Sequence, residues 1–431
     1  MKKALYLIIA TTMVVAQAKA KKWSLDSCIS YAIEHNTEVQ QRILSAYEGE
    51  LDINEAKSRF LPNISAYASQ SFNFGRALTA DNTYANRNTN SFGVGAQLSL
   101  PIFQGLKAIR NLEYSKMSMR ALLEQVEASK DDVTLNVTGQ YLQALYTREL
   151  LDVAKIRLEI SNNELARRKE LLKAGKIPEL DIYEAEAQVS QDELAVINAL
   201  NDSDMALLDL AQLLNLADLD NFDIADLDEA NLPLISPDDI FTTALLNNHA
   251  IQAGRINNEA AQKYVEIAKS GYIPTLSFSA GLGTNYYKTS GLFNDSFGQQ
   301  MRHNFAKSIG FSLNVPVFDA FATRNSVRRA KARLSSAALQ LEESHNQLYK
   351  AINQAYAQAV AAEKKLTAAE KALEATEAAF HAMEVKYSNG RANATEFEKA
   401  KADYITSLAE SVQAKYEAIL RSRILNFYNK E

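Results

Sequence analysis

Two periodicities divide the chain. Ile64, Ala66 and Ala68 alternate with Asn63, Ser65, Tyr67 and Ser69, and Phe92, Val94, Ala96, Leu98 and Leu100 alternate with small or polar residues. The same alternation returns in Leu276, Phe278, Ala280 and Leu282, and again in Ile309, Phe311, Leu313 and Val315. Successive side chains of a strand point to opposite faces, so each segment predicts a strand with one apolar and one polar face. Polar, Asn-rich stretches near 77–90 and 288–305 join the strands of each pair.

After Pro101 and Pro316 the period becomes helical. Roughly 70 residues pass without a proline before Gly175, and again before Gly390; at 1.5 Å per residue each run predicts a helix of about 100 Å. In the second run Leu334, Leu341, Leu348, Ala355, Ala362, Ala369, Thr376 and Met383 form one seven-residue row. Ala338, His345, Ile352, Ala359, Leu366, Leu373, Phe380 and Tyr387 form its partner. This is coiled-coil spacing. The first run carries Leu123, Val137, Ala144, Leu151, Leu158, Leu165 and Leu172 on one such row. A glycine-containing turn then reverses the chain into a second helix. A shorter helix precedes each strand pair and is expected to end at Pro62 or Pro274, since proline lacks an N–H and forces its predecessor out of helical geometry.

The same grammar therefore occurs twice. Ala32 to Gln40 (AIEHNTEVQ) resembles Ala244 to Gln252 (ALLNNHAIQ), and Ala56 to Pro62 (AKSRFLP) resembles Ala268 to Pro274 (AKSGYIP). Leu100 to Phe103 (LPIF) resembles Val315 to Phe318 (VPVF), and Gly175-Lys176 matches Gly390-Arg391. The order is kept and the offset stays between 212 (32 to 244) and 215 (175 to 390). The expected organisation is a first repeat over 21–215, an acidic linker over 216–235 and a second repeat over 236–431. Residues 1–20 read as a secretory signal: Lys2 and Lys3, an apolar run from Ala4 to Ala16, then two small-x-small sites.

Composition narrows the function. A net charge of -6 and a pI of about 5.6 give no basic footprint for nucleic acid. The single Cys28 excludes an intrachain disulfide. It falls among Leu25, Ile29 and Ala32, which favours a buried thiol over a lipid-bearing one. His35, His249, His303, His345 and His381 fit no metal-ligand spacing, and no P-loop, nucleophile elbow or Cys–His arrangement occurs. No enzyme and no cofactor are expected. The seven methionines are scattered and suggest no copper relay.

No segment after the signal has the roughly 20 consecutive apolar residues of a membrane helix, so a membrane-embedded form must be a β-barrel. In a soluble sandwich, four strands would bury little. In a membrane barrel the apolar row faces lipid and the polar row faces water. Phe60, Tyr272, Phe103 and Phe318 beside the four prolines would form an aromatic girdle at one interface. Four strands leave open edges, so chains must combine. Two chains give a filled eight-stranded barrel; three give twelve strands and room for a lumen.

The double copy, the alternating strands, the LPIF and VPVF junctions and the Gly-Lys and Gly-Arg turns resemble the TolC outer-membrane efflux protein family over essentially the whole chain after the signal. The resemblance implies a mixed membrane protein: a trimeric 12-stranded β-barrel, four strands per chain, continued by a long periplasmic α-helical coiled-coil barrel. It implies a Gram-negative outer membrane and a passive duct in tripartite efflux or type I secretion. The partners would be a homotrimer's other copies, a periplasmic adaptor and an inner-membrane pump. It places Gly175, Lys176, Gly390 and Arg391 at the adaptor-contacting tip, and Asp181, Glu184, Tyr387 and Glu396 at a periplasmic gate. A link from Tyr387 to Asp181 is available. Two departures stand out: Lys399 replaces an acid of the family pattern, and Ala392 replaces a gating arginine, leaving that link absent or supplied by Arg391. A periplasmic adaptor, or a structural coiled-coil protein, is the alternative reading; an adaptor would have one helical hairpin, where this chain has two.

Overall fold

The computed structural model describes residues 22–78, 82–216, 222–227 and 235–429. The expected signal, and most of the expected linker including Pro233, lie outside the described residues. Elements follow in the order α1 (Leu25–His35), α2 (Thr37–Ser58), β1 (Asn63–Asn73), β2 (Arg76–Leu78), β3 (Tyr84–Asn86), β4 (Thr89–Gln104), α3 (Lys107–Lys173) and α4 (Leu180–Leu213). Then come α5 (Pro237–Asn247), α6 (His249–Lys269), β5 (Thr275–Thr289), α7 (Phe297–His303), β6 (Ala306–Asn314), α8 (Ala322–Ser388) and α9 (Ala394–Tyr428). The two long helices are each 67 residues, close to the expected length.

Several boundaries differ from the sequence expectation. The helix before each strand pair is two helices. Asn36 (φ -65°, ψ 128°) and Asn248 (φ -68°, ψ 118°) leave helical geometry, and the Asn36 side chain accepts from the backbone N–H of Glu38 at 2.9 Å. A side-chain acceptor at such a position satisfies a donor that the helix start leaves free. Pro101 sits inside β4, at an irregularity between Pro101 and Phe103, rather than closing the strand. The strand-to-helix corners are left-handed at Gly105-Leu106 and at Ala320-Phe321.

The chain forms two compact units, each assembled from segments of both expected repeats. One comprises residues up to 41, 127–248 and 347–431 and is helical. Its core is Leu25, Cys28, Ala32, Val39, Val137, Tyr141, Leu142, Leu145, Leu210, Leu214 and Ile224. Cys28 is fully buried, and burial pushes its thiol up to about 12. Trp23 bridges to Ile224, so the described part of the linker is tied down, and the Tyr141 hydroxyl donates toward the carbonyl of Ala225 at 2.6 Å. The heptad rows of α8 are buried or half-buried at every position except Ala338. On α3, Leu123 is the exposed exception.

The other unit comprises residues 42–126 and 249–346. It holds one antiparallel four-stranded sheet in the order β1-β4-β5-β6. The second strand of the first pair thus lies beside the first strand of the second pair. α6 meets the start of α3, where Arg110 donates to the Glu266 carbonyl at 3.0 Å and Lys263 pairs with Glu113 at 3.2 Å. Among the described residues β1 and β6 are the free edges.

Register decides the faces. Ile64 lies opposite Leu98, Leu98 opposite Ala280 and Ala280 opposite Ile309. Ala66, Ala96 and Leu282 form the next row, and Leu100, Phe278 and Phe311 another. Opposed residues share a face, so the four apolar rows fuse into one apolar surface. The other face carries Ser65, Gln97, Gly281 and Ser308 in one row, and Asn63, Ser99, Ser279 and Gly310 in the next. Tyr67 folds over this polar face. A Cβ on Gly95 would lie 2.8 Å from its hydroxyl, so the glycine is required for that approach.

Candidate functional site: two helical turns and a buried polar ladder

The turns after α3 and α8 are built alike. Gly175 and Gly390 both have φ of 68°, a left-handed conformation that a Cβ disfavours. At the first, Gly175 donates to the Leu172 carbonyl at 2.8 Å and Lys176 to the Leu171 carbonyl at 2.9 Å. At the second, Gly390 donates to Tyr387 at 3.1 Å and Arg391 to Lys386 at 2.8 Å. These paired 5→2 and 6→1 bonds are the Schellman closure of a helix. Among the described residues no atom lies within 4 Å of where either glycine's Cβ would be, so both turns are open on that side. Lys176 and Arg391 are exposed.

The carboxylates have distinct settings. Glu396 is the third residue of α9 and accepts from the Asn393 backbone N–H at 3.0 Å, while Asn393 accepts from the Glu396 N–H at 2.8 Å. This reciprocal capping box satisfies two donors of the helix start and gives Glu396 a local structural role. Glu184 is exposed; Asp181 is half-buried and offers its backbone carbonyl to Arg168 at 3.2 Å.

Tyr387 is held elsewhere. Its hydroxyl donates to Glu164 Oε1 at 2.5 Å. Arg168 donates to the same oxygen at 2.7 Å, and Arg167 lies 3.5 Å from Glu164 Oε2. Arg167 also donates to the Tyr387 carbonyl at 2.6 Å and covers the Tyr387 ring at 4.1 Å. Phe397 also stacks on the Tyr387 ring, with centroids 4.7 Å apart. A phenol has one proton to donate, and within the chain it goes to Glu164, not Asp181. Burial, then the Glu164 hydrogen bond and charge, raise the Tyr387 pKa. Burial opposes charge on Arg168, yet Glu164 and Tyr387 lift its pKa above the ordinary value. The guanidinium is therefore charged and paired.

A second polar group joins α3 to α4 and α9. Asp192 is fully buried and pairs with Arg157 at 2.6 Å and with Lys401 at 3.5 Å; Gln188 donates to it at 3.0 Å. Ser161 donates to Asp192 and accepts from Lys401. Arg157, Ser161, Glu164 and Arg168 recur at three- and four-residue steps on α3, so one stripe of that helix is a ladder of polar groups. The heptad rows gave no sign of it, because those rows record apolar positions. The available signal was the clustering of charges at helical spacing.

The chain matches the outer membrane efflux protein family model over residues 28–216 and again over residues 241–426. The chain belongs to that family. It is an outer-membrane export channel of Gram-negative efflux or type I secretion systems, a class of channels rather than enzymes. It is 23% identical to the outer membrane protein TolC of Escherichia coli over 368 residues, 80% of this chain and 69% of that protein. It is 24% identical to the TolC of Vibrio cholerae over 298 residues, 68% of this chain and 64% of that protein. Its fold matches the Campylobacter jejuni CmeC outer membrane channel with a TM-score of 0.79 at 18% identity, over 94% of this chain and 85% of that one. The adaptor and structural coiled-coil alternatives fall with the family match.

Proposed function

We propose that three copies of this chain form the duct, a 12-stranded barrel from four strands each, continued into the periplasm by the helices of two repeats. The observation that supports this reading best is the sheet. One face is a continuous apolar surface with Ile64, Ile309, Phe311 and Leu313 more than 60% exposed, and the other is Ser, Gly, Gln and Asn. Among the described residues its edges β1 and β6 are unpaired. In lipid each unsatisfied backbone group costs several kcal/mol, so those edges require partners. The strands alternate in direction, so β6 of one copy beside β1 of the next makes an antiparallel pair, and the cycle closes without leftover edges.

In this reading Gly175, Lys176, Gly390 and Arg391 present the turns to a periplasmic adaptor, which couples the duct to an inner-membrane pump. Asp181, Glu184, Tyr387 and Glu396 surround the gate, where threefold rings of carboxylate would favour cations. The Glu164 group is the intrachain latch, with Tyr387 on α8 and Arg168 on α3 meeting at one carboxylate.

The test is native mass measurement and planar-bilayer recording on protein extracted from outer membranes. A trimer that conducts supports the proposal; a stable monomer that spans the membrane refutes it.

A further inference from the structure

The rim of the sheet opposite the strand ends that join α2, α3, α6 and α8 has a construction that neither pore formation nor gating explains. β6 stops pairing with β5 at Gly283. Beyond that point side-chain amides replace a neighbouring strand. Asn304 donates to the Asn285 carbonyl at 2.7 Å. Gln300 accepts from the Tyr287 N–H at 2.9 Å and donates to its carbonyl at 3.0 Å. Asn294 does both for Thr289 at 2.9 Å. Positions 285, 287 and 289 are alternate, as the outward-bonding positions of an edge must be. The segment 294–304, including α7, is thereby fixed against β5.

The side on which α7 lies is also defined. Phe297 packs on Phe92 and Tyr286 at centroid distances of 5.8 and 5.2 Å, and Thr284 donates to the Met301 carbonyl at 2.8 Å. Phe92, Thr284 and Tyr286 are in register with the apolar rows. α7 therefore covers the end of the apolar face. Here the apolar rows finish in cations: Lys288 ends the β5 row and Lys307 the β6 row, with Lys307 5.8 Å from the Phe305 ring. Among the described residues Arg302 on α7 bonds only the Gly298 carbonyl of its own turn, at 3.2 Å. All three cations are exposed, and among the described residues none has a carboxylate partner.

We infer that this rim binds the phosphate groups of the acylated, phosphorylated sugar lipid of the outer leaflet. The inference rests on the channel reading, in which the apolar face meets acyl chains. Three exposed cations with no carboxylate partner among the described residues, on the same rim as Phe297, Phe305 and Tyr286, fit an anionic headgroup layer, where aromatic rings settle at the interface and each cation gains from surface charge. Charge-assisted bonds from Arg and Lys to phosphate are short and strong. A neutral headgroup would leave all three cations without a counter-charge. Lys307 lies opposite Leu282, where the apolar rows give way to polar residues, and Lys288 lies six residues further along β5, so the cations run from that boundary outward into the headgroup layer.

The probe is bisphosphorylated lipid A, compared with lipid A stripped of both phosphates, in native mass spectrometry of the detergent-solubilised protein. Wild type should retain the phosphorylated form preferentially. Lys288→Gln, Arg302→Gln and Lys307→Gln together should reduce that preference about 100-fold, at about fivefold per cation, with conductance unchanged. Arg76→Gln, on β2, should leave it unchanged. If the triple variant does not assemble, each single variant should still lose about fivefold. Equal retention of both lipids by wild type, or an unchanged preference in the variants, overturns the site. Loss of membrane insertion or conductance in wild type would instead overturn the channel reading beneath it.

Discussion

The phenol of Tyr387 donates to the carboxylate of Glu164 at 2.5 Å across 223 positions of sequence, tying α8 to α3 beside the two turns. The same carboxylate oxygen holds Arg168 at 2.7 Å. Glu164 is thus shared between a phenol from one long helix and a guanidinium from the other.

Tyr387→Phe should raise single-channel conductance while leaving assembly intact, because it removes one hydrogen bond to a charged group, about 1.5–3 kcal/mol. Glu164→Ala should open the channel further, since it also strands buried Arg168. Asp181→Ala keeps the backbone carbonyl that Arg168 uses and should have the smaller effect. Planar-bilayer recordings rank the three; an Asp181→Ala channel more open than Glu164→Ala would assign the latch to Asp181.

The buried Asp192–Lys401 pair makes a stability prediction. Lys401→Met alone should destabilise the helical unit by about 3–5 kcal/mol, because a buried carboxylate loses a counter-charge. Arg157 remains 2.6 Å away and sets the lower end of that range. Lys401→Met with Asp192→Leu should recover most of the loss. Denaturant melts of the single and double variants form the cycle, and additive losses would mean the pair is not coupled.

Cys28 predicts an alkaline dependence. Its thiol is raised from 9.0 to about 12 by burial. The folded state therefore holds the proton more tightly than the unfolded chain. That stability is fully present below pH 9 and is lost as pH rises towards 12. At pH 11 the loss is about 3 kcal/mol, from two units at about 1.4 kcal/mol each. Cys28→Ala should show a shallower fall of melting temperature between pH 9 and 11 than wild type. Tyr141, raised to about 12 mainly by burial, keeps part of the slope in both proteins. Parallel slopes would contradict the buried-thiol assignment.

The sheet faces predict opposite outcomes for neighbouring residues. Phe278→Arg or Leu313→Arg puts a cation on the apolar face and should impair insertion, at about 2–4 kcal/mol near the bilayer midplane. Ser277→Arg points to the other face and should insert normally. Outer-membrane fractionation with heat-modified gel mobility reads both, and equal insertion would reverse the assignment of faces.

The sequence by itself determined the strands, the faces and the long helices, because each is a local regularity. Alternation from Ile64 to Ala68 or from Ile309 to Leu313 leaves one arrangement of side chains, although β6 ends at Asn314, one residue short of Val315, and the absence of proline before Gly175 and Gly390 leaves one continuous helix. The glycine turns were legible for the same reason, since φ of 68° is a local demand. Tertiary structure alone decided the partners. Glu164 lies outside the apolar rows, and only the packing of α3 against α8 brings it to Tyr387. Asp192 and Lys401 are 209 positions apart, and only helix packing buries them together. The breaks at Asn36 and Asn248, and the left-handed Ala320-Phe321 corner, were hidden because a short side-chain acceptor or a strained backbone leaves no periodic mark. Periodicity fixes which face of an element is apolar. Which polar groups meet behind that face depends on contacts between residues hundreds of positions apart, and no local pattern encodes that distance.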